Sequence, residues 1–378
     1  MKSLLPELRI GQYEPRFPII QGGMGVMVSG PKLAGAVAAA GGVGTIASVG
    51  LASSLPDMGG KEFFKKNIDL LKKFIADAKV AAKGGLVAVN AMCALTDYDD
   101  HVRASCDGGA DIIISGAGLP LHLPELTESR KDIALIPIIS SVKAANIIVS
   151  RWKKRYGRRP DAFVVETPNS AGGHLGARDE TEAMNCDLSL EKVVPELVRY
   201  LREEGLPIPV IAAGGIWDGE DMAKAFTMGA KGVQMGTRFA ATVEGDTSDR
   251  FKQAYVDADD SDVVLIKSPC GLPGRAIRNP FVEKYLDGML EKASCSVGCL
   301  SHCVCRIKHE TFCIADALVK AYRGDWENGL FFCGSNVGKV KSIENVASLM
   351  KELVDGCLSA MEESVPDQGR HEKHIITA

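Results

Sequence analysis

The sequence predicts an α/β fold, a (β/α)8 TIM barrel with a small inserted α-rich second domain that carries a cysteine cluster. Three observations lead there. Eight short, continuous apolar runs follow one another over about 230 residues, and such runs suit parallel strands buried on both faces. Most lead into a helical pattern, which is the strand–helix rhythm of a barrel. Their ends are small or glycine residues, and this recurs strand after strand. A doubly wound sheet would instead place one glycine-rich fingerprint after its first strand, with an acidic residue about 20 positions on.

Taken in order, the first run is Phe17-Pro18-Ile19-Ile20, ending in Gln21-Gly22-Gly23-Met24-Gly25. A helix over Pro31 to Ala40 follows, because Pro31 suits a first helical position and Gly41-Gly42 a stop. Val43 to Ala47 is the second run. Lys61 to Lys79 then sets Phe64, Ile68, Leu71, Ile75 and Ala78 on one helical face. The third run, Leu86 to Val89, closes on Asn90, and the fourth, Asp111 to Ile114, on Ser115-Gly116-Ala117-Gly118. The fifth, Ile136 to Ile139, ends in Ser140-Ser141 before a helix over Val142 to Tyr156. The sixth, Ala162 to Val165, delivers Glu166, then Thr167-Pro168-Asn169-Ser170 and Ala171-Gly172-Gly173-His174. A helix over Ser189 to Glu204 precedes the seventh, Pro209 to Ile211, which ends in Ala212-Ala213-Gly214-Gly215-Ile216. Asp218 to Met228 is helical, and the eighth run, Gly232 to Met235, ends in Gly236-Thr237-Arg238-Phe239.

After Phe239 the rhythm breaks. An acidic helix (Asp249 to Asp257), a strand (Val263 to Ile266), the segment Gly274 to Asn279 and the cysteine cluster follow. Leu330 to Ser335 forms a last extended element, and Ser342 to Gly356 a closing amphipathic helix. The expected division is a barrel over 1–240, an inserted lid or substrate domain over 241–325, a segment over 326–364 returning to the barrel, and a polar tail over 365–378 that frays from Val365.

Composition excludes several classes. The net charge of −4, from 44 Lys+Arg against 48 Asp+Glu, gives nucleic acid or an anionic membrane nothing to bind. The N-terminus lacks the apolar core of a signal peptide, and no run approaches the roughly 18 apolar residues of a membrane helix. A cytoplasmic protein with no membrane partner is expected, acting on a small-molecule or acyl-thioester substrate, with a homodimer as the expected assembly.

Backbone approaches a ligand closely only where side chains are absent, so glycine rims imply a flat or phosphorylated ligand on the barrel mouth. The pairs Gly214-Gly215 and Gly236-Thr237 end the seventh and eighth strands, where barrels commonly bind phosphate through backbone N–H groups. Thr237 adds a hydroxyl donor. Gly22-Gly23-Met24 would let a ring system lie across the opposite side, and Asn90 would bond a ring carbonyl or a hydroxyl, or else cap the next turn. Glu166, Ala213 and Gln234, also at strand ends, join the same binding set. A phosphate-binding lyase or isomerase would need a lysine or a carboxylate pair at these rims, and Glu166 is the only acid there.

The stretches PIIQGGMG, AVNAM, SGAG, AGGHLG, AAGGI, QMGTRF and GRAIRNP, in this order, resemble the nitronate monooxygenase / 2-nitropropane dioxygenase family, which includes the FMN-dependent type II enoyl-ACP reductases. The likeness runs from about Arg16 to Gly356 apart from the cysteine cluster. It implies an FMN-dependent oxidoreductase, with Gly22, Gly23 and Met24 packing on the flavin ring, Asn90 and Gly173 against it, and Gly214, Gly215, Gly236 and Thr237 holding its phosphate. His174 is the implied catalytic residue, binding or deprotonating an acidic C–H substrate in one branch and orienting a thioester carbonyl in the other. NAD(P)H is the implied co-substrate of the reductase branch, which the Gly22-Gly23-Met24 form favours. Arg275 and Asn279 fall in a segment that lies over the active site in that branch. A flavin-binding regulatory module is the non-enzymatic alternative.

Five of the eleven cysteines fall between Cys295 and Cys313, outside that resemblance. Cys295, Cys299, Cys303 and Cys305 are candidate metal ligands, with Cys313 or Cys333 in reserve. The spacing loosely resembles the loop that holds a [4Fe–4S] cluster in flavoenzymes of the 2,4-dienoyl-CoA reductase kind. A zinc ion, or reduced thiols without metal, are the other readings.

Overall fold

The computed structural model describes residues 5–55, 60–293, 295, 297–308 and 311–363. Eight parallel strands close into a barrel. They are β1 (Ile19–Gln21), β2 (Val43–Ala47), β3 (Leu86–Met92), β4 (Ile112–Gly116), β5 (Ala134–Ile139) and β6 (Phe163–Glu166), then, past a two-residue strand β7 (Gly173–His174) outside the ring, β8 (Val210–Ala213) and β9 (Gly232–Met235). Closure comes from β1 pairing with β9, Ile19 opposite Val233 and Gln21 opposite Met235.

The continuous apolar runs have a direct cause. Within each strand alternate residues face opposite ways, and both sides are dry. Ile112, Ile114, Val164 and Ile211 pack together in the barrel interior with Leu8 and Ile10 of the N-terminal segment, whereas Ile113, Phe163, Val165 and Val210 pack outward with the helices. The outer layer is α1 (Pro31–Ala39), α2 (Gly60–Ala81), α3 (Tyr98–Asp107), α4 (Leu123–Leu126), α5 (Val142–Tyr156), α6 (Glu180–Ala183), α7 (Leu190–Glu203) and α8 (Gly219–Thr227). Beyond β9 come α9 (Thr237–Ala240), α10 (Asp249–Asp257), β10 (Val263–Lys267), β11 (Pro273–Ile277), α11 (Pro280–Leu286), α12 (Val304–Lys308) and α13 (Ile314–Arg323). The last helix, α14 (Val346–Glu363), packs on α8 and α1 and so takes the place of the eighth outer helix.

The insertion is tied to the site by backbone. β10 and β11 pair antiparallel, and β11 pairs with β7, Gly274 opposite His174 and Arg275 opposite Gly173. The extended stretch after α13 joins the same edge, with Cys333 N donating to Arg275 O at 3.1 Å and Ile277 N to Phe331 O at 2.8 Å. Among the described residues no helix is long and apolar enough to cross a membrane. The tail expected from Val365 lies outside the described residues.

Helix α1 lies against β2 so closely that a Cβ on Gly44 would sit 1.8 Å from Ala34 O. Gly44→Ala should therefore force α1 outward and cost about 1–3 kcal/mol, read as a lower denaturation midpoint. A midpoint equal to the parent's would show that this contact does not limit the packing.

Candidate active site

The carboxyl ends of the barrel strands and the insertion enclose a cavity of about 310 Å³. Every residue singled out as a catalytic or cofactor ligand in the sequence lines it: Gly22, Gly23, Met24, Asn90, Glu166, Gly173, His174, Ala213, Gly214, Gly215, Gln234, Gly236 and Thr237.

The β1 rim is stitched down by a buried amide. Gln21 Oε1 accepts from Thr45 N at 2.8 Å, and its Nε2 donates to Ser29 Oγ at 2.8 Å and to Gly22 O. Ser29 Oγ in turn accepts from Met24 N at 2.9 Å. Gly23 presses on Asn90 so tightly that a Cβ would lie 2.3 Å from Asn90 Cβ. The rim is thus flat because a side chain there has no room.

At the opposite side, Gly214 and Gly215 have φ of +97° and +75°, the left-handed region that disfavours side chains. They bend the chain after β8 against Ser170, and Asn336 Nδ2 donates to Gly215 O at 2.8 Å. Thr237 Oγ1 accepts from Gly334 N at 2.8 Å, which leaves its own proton free to donate. Among the described residues Gln234 Oε1 is buried with no partner, and such an atom is costly unless a ligand or water meets it. Side-chain-free backbone, a free hydroxyl proton and an orphaned amide oxygen around one cavity fit a planar, phosphorylated group.

His174 reaches this cavity from β7. Its Nε2 lies 2.7 Å from Ser268 Oγ, and Phe332 meets its ring edge-to-face with centroids 5.1 Å apart. Burial pushes the imidazole down to about 4 from an ordinary 6.5, so it is neutral at pH 7. Glu166, at the end of β6, responds to the same dry surroundings in the opposite sense, its carboxyl pushed up to about 7 from 4.5. The loop between them is held by Arg275. Buried, its guanidinium donates to Asn169 O at 3.0 Å, to Pro168 O at 3.4 Å and to Ala171 O. Asn279 is also buried and caps α11, donating to Trp326 O and Gly329 O at 2.7 and 2.8 Å. Neither residue lines the cavity, so both brace the site rather than contact a ligand.

Sequence reasoning missed Ser268, Ser335, Asn336 and Phe332. They come from the insertion and the segment after it, where no strand–helix rhythm marks a rim. The one signal available was the short extended element ending in Gly334-Ser335, which does pass along the cavity.

The metal reading of Cys295, Cys299, Cys303 and Cys305 gains no support from the described residues. Among the described residues no group of three or more His, Cys, Asp or Glu side chains is placed to hold a metal ion. Cys303 precedes α12 and Cys305 lies within it, and the two thiols interact, with Cys295 and Cys313 also near enough to act on Cys305. Cys305 Sγ also meets Ala293 O at 3.9 Å. Burial first, and neighbouring thiols second, push Cys299 and Cys305 up to about 12, so both are protonated thiols at neutral pH. The segment works as a strap across the barrel mouth. Thr96 N donates to Cys299 O at 3.1 Å, Ser301 N to Ala94 O at 2.9 Å, and Val304 N to Pro269 O at 2.8 Å. Of the four cysteines, Cys299 lines the cavity.

The family described as nitronate monooxygenase matches residues 8–356. A probable nitronate monooxygenase of Staphylococcus saprophyticus is 27% identical, over 72% of this chain and 79% of the relative. A (3aS,4S,5R,7aS)-5-hydroxy-7a-methyl-1-oxo-octahydro-1H-indene-4-carboxyl-CoA dehydrogenase of Mycobacterium tuberculosis is 31% identical, over 72% of this chain and 66% of that one. Among solved structures, FabK from Thermotoga maritima superposes with a TM-score of 0.71 at 28% identity, over 92% of this chain and 95% of that one. A nitroalkane oxidase from Streptomyces ansochromogenes (TM-score 0.69, 21% identity, 92% and 97% coverage) shares the fold.

The two shifted groups make opposite pH predictions for the ligand-free protein. Between about 4.5 and 7 the folded chain keeps a proton on Glu166 that the unfolded chain has lost, so this carboxyl makes stability fall as pH rises through that window. Between about 4 and 6.5 the unfolded chain protonates His174 and the folded chain does not, so this ring makes stability rise with pH. Glu166→Gln should remove the first effect alone. Relative to the parent, the variant should gain in melting temperature on going from pH 5 to pH 8, and equal changes in the two proteins would refute the dry-carboxylate reading.

Proposed function

The chain belongs to the nitronate monooxygenase family, and we propose that this flavin oxidoreductase binds FMN on the barrel mouth and oxidises an alkyl nitronate beside His174. The observation that carries the reading is the neutral imidazole facing the same cavity as the glycine rims. On this reading Gly214, Gly215, Gly236 and Thr237 hold the phosphate, Gly22, Gly23 and Met24 lie along the ring system, and Asn90, Glu166, Gly173, Ala213 and Gln234 meet its edges. FMN supplies a two-electron acceptor. The chain does the rest: it binds and orients the substrate, shields it from water beneath the cysteine-rich strap, and exchanges protons at the His174 ring and the Glu166 carboxyl.

A neutral imidazole suits an anionic substrate, because a hydrogen bond can form without first desolvating a second charge. Glu166, able to carry a proton near neutrality, is the complementary group of the pair.

A second reading has its own support. The Gly22-Gly23-Met24 rim and the likeness to FabK favour reduction of an activated, thioester-bearing alkene, with NAD(P)H as reductant. A thioester enolate and a nitronate are chemically alike at the atoms that matter here, each placing negative charge on an oxygen conjugated to the reacting carbon.

Protein loaded with FMN should turn over propyl 2-nitronate in air. Offered a crotonyl thioester and NADH or NADPH without oxygen, it should be slow. The reverse ratio would move the assignment to the second reading, and failure with both would remove each. His174→Ala should keep the bound flavin and lose about 10²–10⁴-fold in kcat. Gly215→Val should instead lose the flavin, read as the 450 nm absorbance retained after gel filtration, because its side chain would meet Ser170 and its φ is left-handed.

A further inference from the structure

We propose that Ser268 is a positioning residue that holds His174 in the tautomer with its proton on Nδ1, making that N–H a donor to a negatively charged substrate oxygen. The inference rests on the function proposed above and deepens it.

Ser268 is buried in the turn between β10 and β11, in the insertion and far in sequence from the strand that bears His174. Its Oγ lies 2.7 Å from His174 Nε2. The amide of Cys270 donates to the same oxygen at 3.5 Å, and Cys270 Sγ lies 3.3 Å from it. A serine hydroxyl has one proton to give. Its two candidate acceptors are an imidazole nitrogen and a thiol sulfur, and sulfur is the weak one. The proton therefore goes to Nε2. A neutral ring whose Nε2 accepts must carry its own proton on Nδ1. The thiol then donates to Ser268 Oγ, and the chain Cys270–Ser268–His174 runs in one direction with each group satisfied.

The other nitrogen is where the substrate belongs. Among the described residues His174 Nδ1 has no hydrogen-bond partner, although the ring lines the cavity. Phe332 against one edge of the ring and the pairing of His174 with Gly274 leave it little freedom to turn. The serine is fixed as firmly. Ser268 N donates to Leu272 O and Gly271 N to Ser268 O, both at 2.9 Å, while Pro269 O accepts from Val304 N of the strap at 2.8 Å. A neutral N–H facing the cavity selects substrates with an anionic oxygen conjugated to the reacting carbon, such as a nitronate or a thioester enolate. A substrate lacking that oxygen would leave the donor unmet in a dry site.

The test is the tautomer itself. Long-range ¹H–¹⁵N spectra of the FMN-loaded protein at pH 7, with His174 assigned by comparison with His174→Gln, should show an Nδ1–H ring. Ser268→Ala should convert it to the Nε2–H form that a free imidazole side chain prefers, and Ser268→Thr should restore it. In parallel, kcat should fall about 10- to 100-fold in Ser268→Ala with KM changing less, short of the ~10²–10³-fold expected for deleting an oxyanion donor outright. Turnover should return in Ser268→Thr. An Nε2–H ring in the parent protein, or an unchanged ring in Ser268→Ala, overturns the proposal. The spectra decide even where no substrate is turned over. Absence of flavin or of turnover in the parent protein counts instead against the proposed function.

Discussion

The site depends on one backbone pairing, that of Gly173–His174 with Gly274–Arg275. A barrel strand delivers its end residues directly, but β6 stops at Glu166, eight positions before the histidine. The intervening loop has no ladder of its own. Hydrogen bonds from β11 give it one, and the Arg275 guanidinium satisfies the carbonyls of Pro168, Asn169 and Ala171 that the bend would otherwise strand. Because Cys333 and Phe331 pair with the same strand, the insertion, the His174 loop and the Gly334–Ser335 side of the cavity become one mechanical unit. The insertion is therefore part of the active site's framework and not merely a cover for it.

Legibility in the sequence follows from the same division. The eight barrel strands could be read because each is dry on both sides and so must be continuously apolar, and the rims could be read because glycine there has no substitute. Helix α3 escaped notice because its buried face includes His101 and Ser105, polar residues that break the apolar period. Helix α13 escaped notice because it abuts the cysteine-rich stretch, whose composition drew the eye to ligands. Ser268 carried no signal at all, since its contact with His174 arises only when a turn 94 residues downstream folds back onto the histidine.

The cysteines show how much spacing alone leaves open. Four thiols within eleven residues suggest a ligand set, yet ligation needs convergence, and convergence is a property of backbone conformation. Here the chain spans from the β3 rim to the Ser268 turn, and Cys303 and Cys305 stay close enough for their thiols to interact. Buried cysteines suit that task, because they pack as small apolar groups.

His101 offers the control for what makes His174 distinctive. It too is buried, but every polar atom of its ring is spoken for, Nδ1 by Ser48 Oγ at 2.8 Å and Nε2 by Asp97 Oδ2 at 3.0 Å and Asn67 Nδ2 at 3.1 Å. Such a ring ties β2 to α3 and has nothing left to offer a ligand. Among the described residues His174 has one partner where it could have had two, and its other nitrogen belongs to a ring that lines a cavity already edged by backbone and by the amide oxygen of Gln234. Leaving buried polar atoms unpaired is unfavourable in the empty protein. Among the described residues Gln234 Oε1 is such an atom at the edge of this cavity. The His174 ring, the protonable carboxyl of Glu166 and the bare glycine rims are thus one arrangement around one cavity.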